Sequence, residues 1–416
     1  MSHGETKCLC WAEQPSKWPT PPEWMSFYRL RDIESCPRRA ALRSASYSNV
    51  WDRPGYPAIL RSSTLMGQVV HSSIRTVSAK LAESGCRSAT DPEAVAVLRQ
   101  LGGLSQIIRQ AIQIAFEEQS DNPRGIAARP ALRDAVQAHL PQLREQVQVT
   151  LGRLHFATSS MDDERPGRSE THGVRSSHRS YYEAALRSPE LGWVGVADYI
   201  GVFGNFCEIM DFKTGDPDED HKLQLLIYAL LWARDGRINP AGSLANKLTI
   251  SYRTGAVNVP APSKTELLEL EGQIADRTQH AREAISKSPT DARPSIENCS
   301  YCDVRQLCGT YWDPNTMREL SKQNASPTAY TDFQATIVRR QAEKCWKGMV
   351  VSSLTLPCEK PILLRTSVFD NSIDNALLSS PGTTIRVLGA RLSSDPADDS
   401  PAVLTMSDKS EAFLLR

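Results

Sequence analysis

The sequence predicts an α/β domain carrying a helical insertion, followed by a small all-β domain. Three observations carry this. Between residues 179 and 287, β-rich runs (179–186, 192–201, 206–213 and 247–253) alternate with helical ones (218–234 and 263–287). Ahead of them, from 64 to 155, apolar residues recur at helical spacing. Behind them, five short strands (332–340, 347–355, 360–368, 383–391 and 402–407) are separated by turn signals.

A chain of 416 residues holds two or three domains of ordinary size. With 40% hydrophobic and 23% charged residues, it can build a sizeable core and remain a normal globular protein. The 48 basic and 48 acidic residues cancel, so any surface for phosphates must be local. The most apolar stretch, 223–233, contains Gln224 and is too short to span a bilayer, so no membrane partner is expected. The first residues lack the apolar core of a signal peptide, and a cytoplasmic location is the expectation. Ten cysteines in that compartment point to metal binding or buried thiols rather than disulfides.

Taken in order, residues 1–25 are rich in Pro and Trp and read as an irregular arm. From Ser26 a short helical candidate carries Arg29, Arg31, Cys36, Arg38, Arg39 and Arg43, interrupted at Pro37. The run 64–82 places Leu65, Val69, Val70, Ile74 and Val77 on one helix face, with His71 beside that stripe. An insertion of about 85–157 continues as helix, broken near Gly102–Gly103 and Asn122–Gly125. Residues 158–178 are polar and without period, hence a loop. The first domain spans 26–320 and the second 325–416, where five strands suggest a small barrel, an OB-type barrel being one such form.

The chemistry concentrates in Gly195-Val-Ala-Asp198 and Asp211-Phe-Lys213-Thr-Gly215. The two β-runs flank Gly204–Asn205, a pair that favours a two-residue hairpin turn. Asp198 lies six residues before that turn and Asp211 six after it, so they fall on opposed positions. Opposed residues have Cβ atoms roughly 4.5–5.5 Å apart. Two carboxylates so placed repel, and a divalent cation turns the repulsion into a binding site. Lys213, two residues beyond Asp211, shares its face. Such a group suits phosphodiester hydrolysis. Mg²⁺ or Mn²⁺ prefers carboxylate oxygens, polarises a phosphate oxygen and acidifies water, and the lysine positions water or offsets developing charge. Taken alone, the two acids are better read as solvated charges on an exposed hairpin, and further residues change that balance. In the next helix Gln224 and Tyr228 stand at i, i+4 on one face and could reach Lys213 or a phosphate, although ordinary helix-surface polarity explains such a pair too. Glu183, on the preceding strand, is a weaker candidate for metal or water, and Glu208 alternates to the opposite face and is discounted.

These residues, in this order, resemble the motifs of RecB-like PD-(D/E)XK nucleases: Gly67-x3-His71, Gly195-x2-Asp198, Asp211-x-Lys213-Thr-Gly and Gln224-x3-Tyr228. The resemblance covers about 26–315 and implies a restriction-endonuclease-like α/β core. It further implies His71, Asp198 and Asp211 as Mg²⁺ or Mn²⁺ ligands, Lys213 as the catalytic lysine, and Gln224 and Tyr228 as supports for the site and the DNA.

Cys299-x2-Cys302-x5-Cys308 is a second signal, because Cys-x2-Cys spacing lets two thiolates reach one centre. A four-thiolate site needs one more ligand, and Cys36, before Pro37, is the natural choice. One cysteine ahead of the core and three behind it resembles the iron–sulfur branch of the same family, which includes CRISPR-adaptation exonucleases and helicase–nuclease subunits. A [4Fe–4S] cluster is what that resemblance implies, with Zn²⁺ the alternative at a site of four cysteines. Cys8 and Cys10 form an isolated pair, while Cys86, Cys207, Cys345 and Cys358 read as ordinary buried thiols.

The C-terminal segment is neutral, with ten basic and ten acidic residues in 325–416, so bulk charge does not mark it as a nucleic-acid binder. Phe333, Trp346 and Phe369 are candidates for stacking on bases, core packing and partner docking being the competing readings. The expectation from sequence is a metal-dependent DNA nuclease, an exonuclease on single-stranded or end-bearing DNA, serving repair, recombination or anti-phage defence. The rival is a non-catalytic nucleic-acid-binding or assembly subunit that keeps the nuclease fold as scaffold. With no Gly-x4-Gly-Lys-Ser/Thr loop the sequence shows no ATP motor, and processive unwinding would need a partner helicase.

Overall fold

The computed structural model describes residues 12–126, 128–156, 178–323, 329–366, 372–379, 382–393, 400–407 and 409–415. Ser26 caps helix α1 (Phe27–Ser35) by accepting from the Arg29 amide, and Pro37 opens α2 (Pro37–Ser44), leaving Cys36 extended between them. The apolar stripe predicted around His71 forms α3 (Ser62–Glu83). The insertion folds as α4 (Ala94–Gln100), α5 (Leu104–Glu117), α6 (Arg129–Ala138) and α7 (Leu140–Leu151). Its first break falls where Gly102 and Gly103 take φ of 82° and 83°, which L side chains resist.

Strands β1 (Arg179–Ser188), β2 (Trp193–Phe203), β3 (Phe206–Lys213), β4 (Lys247–Tyr252) and β5 (Ala256–Val259) form one sheet in sequential order. All neighbours are antiparallel except β3 and β4. That parallel pair needs a crossover, supplied by α8 (Glu219–Arg234). The sheet is covered on both sides, so β3 is buried almost throughout. Cys207 and Ile209 join the core containing α8 and α9 (Lys264–Ser286), while Met210 and Phe212 join the core of α3 and the insertion. Helix α9 starts at a reciprocal Ser263–Glu266 capping box, and Trp193 Nε1 ties β2 to it through Thr278 Oγ1 at 3.0 Å. Four-residue β5 is a mostly exposed edge strand, too short for the alternation of Val257, Asn258 and Val259 to mark it in sequence.

The cysteine segment follows as α10 (Ile296–Ser300), a 3₁₀ turn at Arg305–Leu307, α11 (Gly309–Trp312) and α12 (Pro314–Gln323). Beyond it come β6 (Tyr330–Ala342), β7 (Cys345–Ser353), β8 (Pro361–Arg365), α13 (Ser372–Ser379), β9 (Thr384–Leu392), β10 (Ala402–Thr405) and β11 (Glu411–Leu414). Five of these strands close a barrel in the order β6, β7, β8, β10, β9 and back to β6. Only the β8–β10 pair is parallel, and β11 extends along β9. Two of the three stacking candidates are core residues instead. Phe333 and Trp346 point into the barrel core, 0% and 3% exposed, and the Trp346 indole donates to Asp374 Oδ1 at 2.7 Å. Phe369, like Cys8 and Cys10, lies outside the described residues. Cys86 and Cys207 are buried as expected, Cys345 is half-buried, and Cys358 is exposed. No helix among the described residues is long and apolar enough to cross a membrane.

Candidate active site

Gly204 takes the positive φ of 65° that a hairpin turn of this kind demands. The register runs from Phe203 opposite Phe206 to Tyr199 opposite Met210. One step further lie Asp198 and Asp211, where the side chain takes over from the ladder: Asp198 Oδ2 accepts from the Phe212 amide at 2.5 Å. Its other oxygen, Oδ1, meets His71 Nδ1 on α3 at 2.9 Å. Asp211 Oδ2 lies 2.7 Å from Lys213 Nζ. The lysine also donates to Gln224 Oε1 at 2.8 Å, and Gln224 Nε2 donates to the Tyr228 hydroxyl at 2.7 Å. The structure therefore brings His71, Asp198, Asp211, Lys213, Gln224 and Tyr228 around one pocket.

The pair on α8 differs from its expected setting. Helix α8 is packed on nearly every side, and Gln224 and Tyr228 are 2% and 5% exposed. Though they line the pocket, they are nearly buried, and they hold Lys213 through a chain in which its ammonium donates to Gln224 and Gln224 donates to Tyr228. Gly195 makes this approach possible: a Cβ there would stand 2.8 Å from the Tyr228 ring and 3.0 Å from Leu231 Cδ1. Glu183 lines the same pocket, with a positive φ of 49° that breaks its pairing, and its carboxylate is engaged by Arg75. Glu208 is held on the sheet by Lys247 Nζ at 2.7 Å and Thr249.

One residue of the constellation escaped the sequence. Tyr28, exposed on α1, places its hydroxyl 3.3 Å from both Lys213 Nζ and Gln224 Oε1. Nothing in its local spacing links it to residues almost two hundred positions away.

The electrostatics favour a cation. The pocket is lined by six carboxylates, Glu118, Glu183, Asp198, Asp211, Asp216 and Asp218, against only Arg75 and Lys213 as fixed positive charges. Burial, then the neighbouring Asp198, pushes the Asp211 carboxyl up to about 7 despite Lys213. Although Lys213 lies close, Asp211 Oδ2 has no well-angled hydrogen bond. Burial opposes charge on His71, but its bond to Asp198 and that carboxylate's charge prevail and raise it. Among the described residues no three His, Cys, Asp or Glu side chains are gathered tightly enough to hold a metal ion as they stand. Mg²⁺ needs no such cage, because it keeps several waters and takes one or two carboxylates. The under-bonded Asp211 oxygen beside Asp198 fits that donor set.

At the opposite end of α1, Cys36, Cys299, Cys302 and Cys308 line a single cavity, and all four thiols are free. Burial pushes the Cys302 thiol up to about 12 and raises Cys299 and Cys308 as well. Four arginines, Arg38, Arg39, Arg293 and Arg305, line the same cavity. Four thiols on one cavity are the donor set that an iron–sulfur or zinc centre takes. Of the four guanidiniums, Arg39 and Arg305 already pair with Asp32 and Asp332, which leaves Arg38 and Arg293 to offset the negative charge of such a centre.

A family model described as the PD-(D/E)XK nuclease superfamily matches residues 24–309, a span that holds every residue of both sites. A search of curated proteins finds no match.

Proposed function

The chain belongs to the PD-(D/E)XK nuclease superfamily, and from that premise we propose that it is a metal-dependent DNA nuclease acting at Asp198, Asp211 and Lys213. The observation that carries this reading is a carboxylate-rich pocket in which buried Asp211 and half-buried Asp198 lie beside one oriented ammonium. When bound, Mg²⁺ or Mn²⁺ supplies Lewis acidity toward a phosphate oxygen and a more acidic water. Asp198 and Asp211 would hold it, with His71 either a third ligand or the residue that orients Asp198. Lys213, aimed by Gln224 and Tyr28, offsets charge gathering on the phosphate or positions the attacking water. Gln224, Tyr228 and Glu183 act through their neighbours. The branch resemblance favours exonuclease action on single-stranded or end-bearing DNA in repair, recombination or defence, with a helicase as possible partner. The four-cysteine cavity is assigned a [4Fe–4S] cluster in a structural role, Zn²⁺ being the other ion its thiolates suit. The barrel has the strand order and parallel closing pair of an OB-type fold.

Cleavage assays on end-labelled DNA test this. Lys213→Ala and Asp211→Ala are expected to lose Mn²⁺-dependent cleavage by at least about a hundredfold while remaining folded. Full activity in both overturns the assignment.

A further inference from the structure

The pocket that holds the carboxylates is a poor place for a polyanion, yet a cleft beside it has the opposite charge. This second cleft, of about 940 Å³, lies along α1 and α2 against the arm at 17–22. Its walls carry Lys17, Arg29, Arg31, Arg39 and Arg43 against only Asp32 and Asp220. In a chain with no net charge, that is a local excess of cations. Arg31 is engaged by Asp220, and Arg39 and Arg43 share Asp32 Oδ1 at 2.7 Å each. Lys17 and Arg29 are exposed and have no carboxylate partner among the described residues, Arg29 donating only to the neutral Trp24 carbonyl.

Tyr28 connects the two clefts, since it lines both. The residue is 63% exposed while its hydroxyl touches Lys213 and Gln224. Trp18 lies in the basic cleft, one face covered by the Arg38 guanidinium at 5.5 Å.

We propose that the α1–α2 cleft is the track for single-stranded DNA leading to the catalytic pocket, with Lys17 and Arg29 on backbone phosphates and Tyr28 stacking on a base beside the scissile bond. Cations that follow a backbone, with aromatic rings between them, are how sequence-independent single-strand surfaces work. A duplex keeps its bases stacked inside and cannot use the rings. The track rests on the nuclease reading for its direction, but its existence is measured without cleavage.

The test is fluorescence anisotropy on the full chain in EDTA, using a labelled single-stranded oligodeoxynucleotide and the matching blunt duplex over a range of salt. Wild type should bind the single strand more tightly than the duplex. Lys17→Ala/Arg29→Ala should bind it about tenfold more weakly, with the salt slope shallower by about 1.4, which is two phosphate contacts at about 0.7 each. Tyr28→Leu should weaken binding and Tyr28→Phe should not. Both cations are exposed, so an unchanged melting midpoint confirms that the double variant is folded. Equal affinity in wild type and double variant, or preference for the duplex, overturns the track even if cleavage is intact. Binding through the cleft in a chain that cleaves nothing under Mn²⁺ would instead overturn the nuclease reading and leave the track standing.

Discussion

Asp211 is the residue on which most of the chemistry turns. Its carboxyl is raised to about 7 with no cation present, whereas an unfolded aspartate titrates near 3.9. The folded chain therefore holds the proton more tightly between those values. This contribution to stability is present in full below about pH 4 and lost as pH rises through about 7. Melting curves in EDTA should show wild type falling relative to Asp211→Asn across that window, and saturating Mn²⁺ should remove the difference. Parallel pH profiles with and without Mn²⁺ would contradict it. The acid pair and Lys213 were legible in sequence because a two-residue turn and a period of two fix which side chains meet. Tyr28 was not, because its contact is made across the fold between α1 and β3. The burial of Gln224 and Tyr228 was likewise hidden, since their i, i+4 spacing shows a shared face but not what covers that face.

At the scale of elements, the closeness of α8 to β2 depends on Gly195. Gly195→Ala must push the Tyr228 ring or Leu231 aside, at a cost of about 1–3 kcal/mol. A denaturant midpoint equal to wild type would show that α8 gives way freely. Asp332 is one point at which the barrel grips the cysteine segment. Asp332 accepts from Arg305 Nε at 2.5 Å, from the Tyr311 hydroxyl at 2.9 Å and from the Gly389 amide at 2.8 Å. Arg305 and Tyr311 flank Cys308, so Asp332 fixes the loop that carries the last thiol. Asp332→Ala strands a nearly buried guanidinium and should destabilise the chain by about 3–5 kcal/mol, measured by chemical denaturation. A loss under about 1 kcal/mol would deny the grip. The five barrel strands were readable from spacing, whereas the direction of Phe333 and Trp346 was not. Register shifts in β6, between Gln334 and Ala335 and again beyond Ile337, break the simple alternation that assigns residues to a face. The four-residue strands β5 and β11 were too short to carry any period.

Across the whole molecule, a few long-range ties join insertion, cysteine loop and barrel. Arg124, 1% exposed, forms a two-pronged pair with Glu411 at 2.7 and 2.8 Å and donates to the Pro57 and Asp303 carbonyls. Arg386 of β9 donates to the Gln306 carbonyl at 2.6 Å and lies over the Trp312 ring. No local pattern announces such ties, because each joins residues far apart in sequence. The four free cysteines line one cavity where the start of the family-matched span meets its end. Cys302→Ser is expected to lose visible absorbance and iron, or zinc, and to lower the melting midpoint. Unchanged metal content would remove Cys302 from the ligand set. The proposed activity requires Asp198 and Asp211 together to capture a divalent cation beside Lys213. The most direct measurement of that capture is a calorimetric titration of Mn²⁺ into the wild type, Asp198→Asn and Asp211→Asn. Saturable binding in the wild type that is lost in both variants is predicted, and equal binding in all three would contradict it.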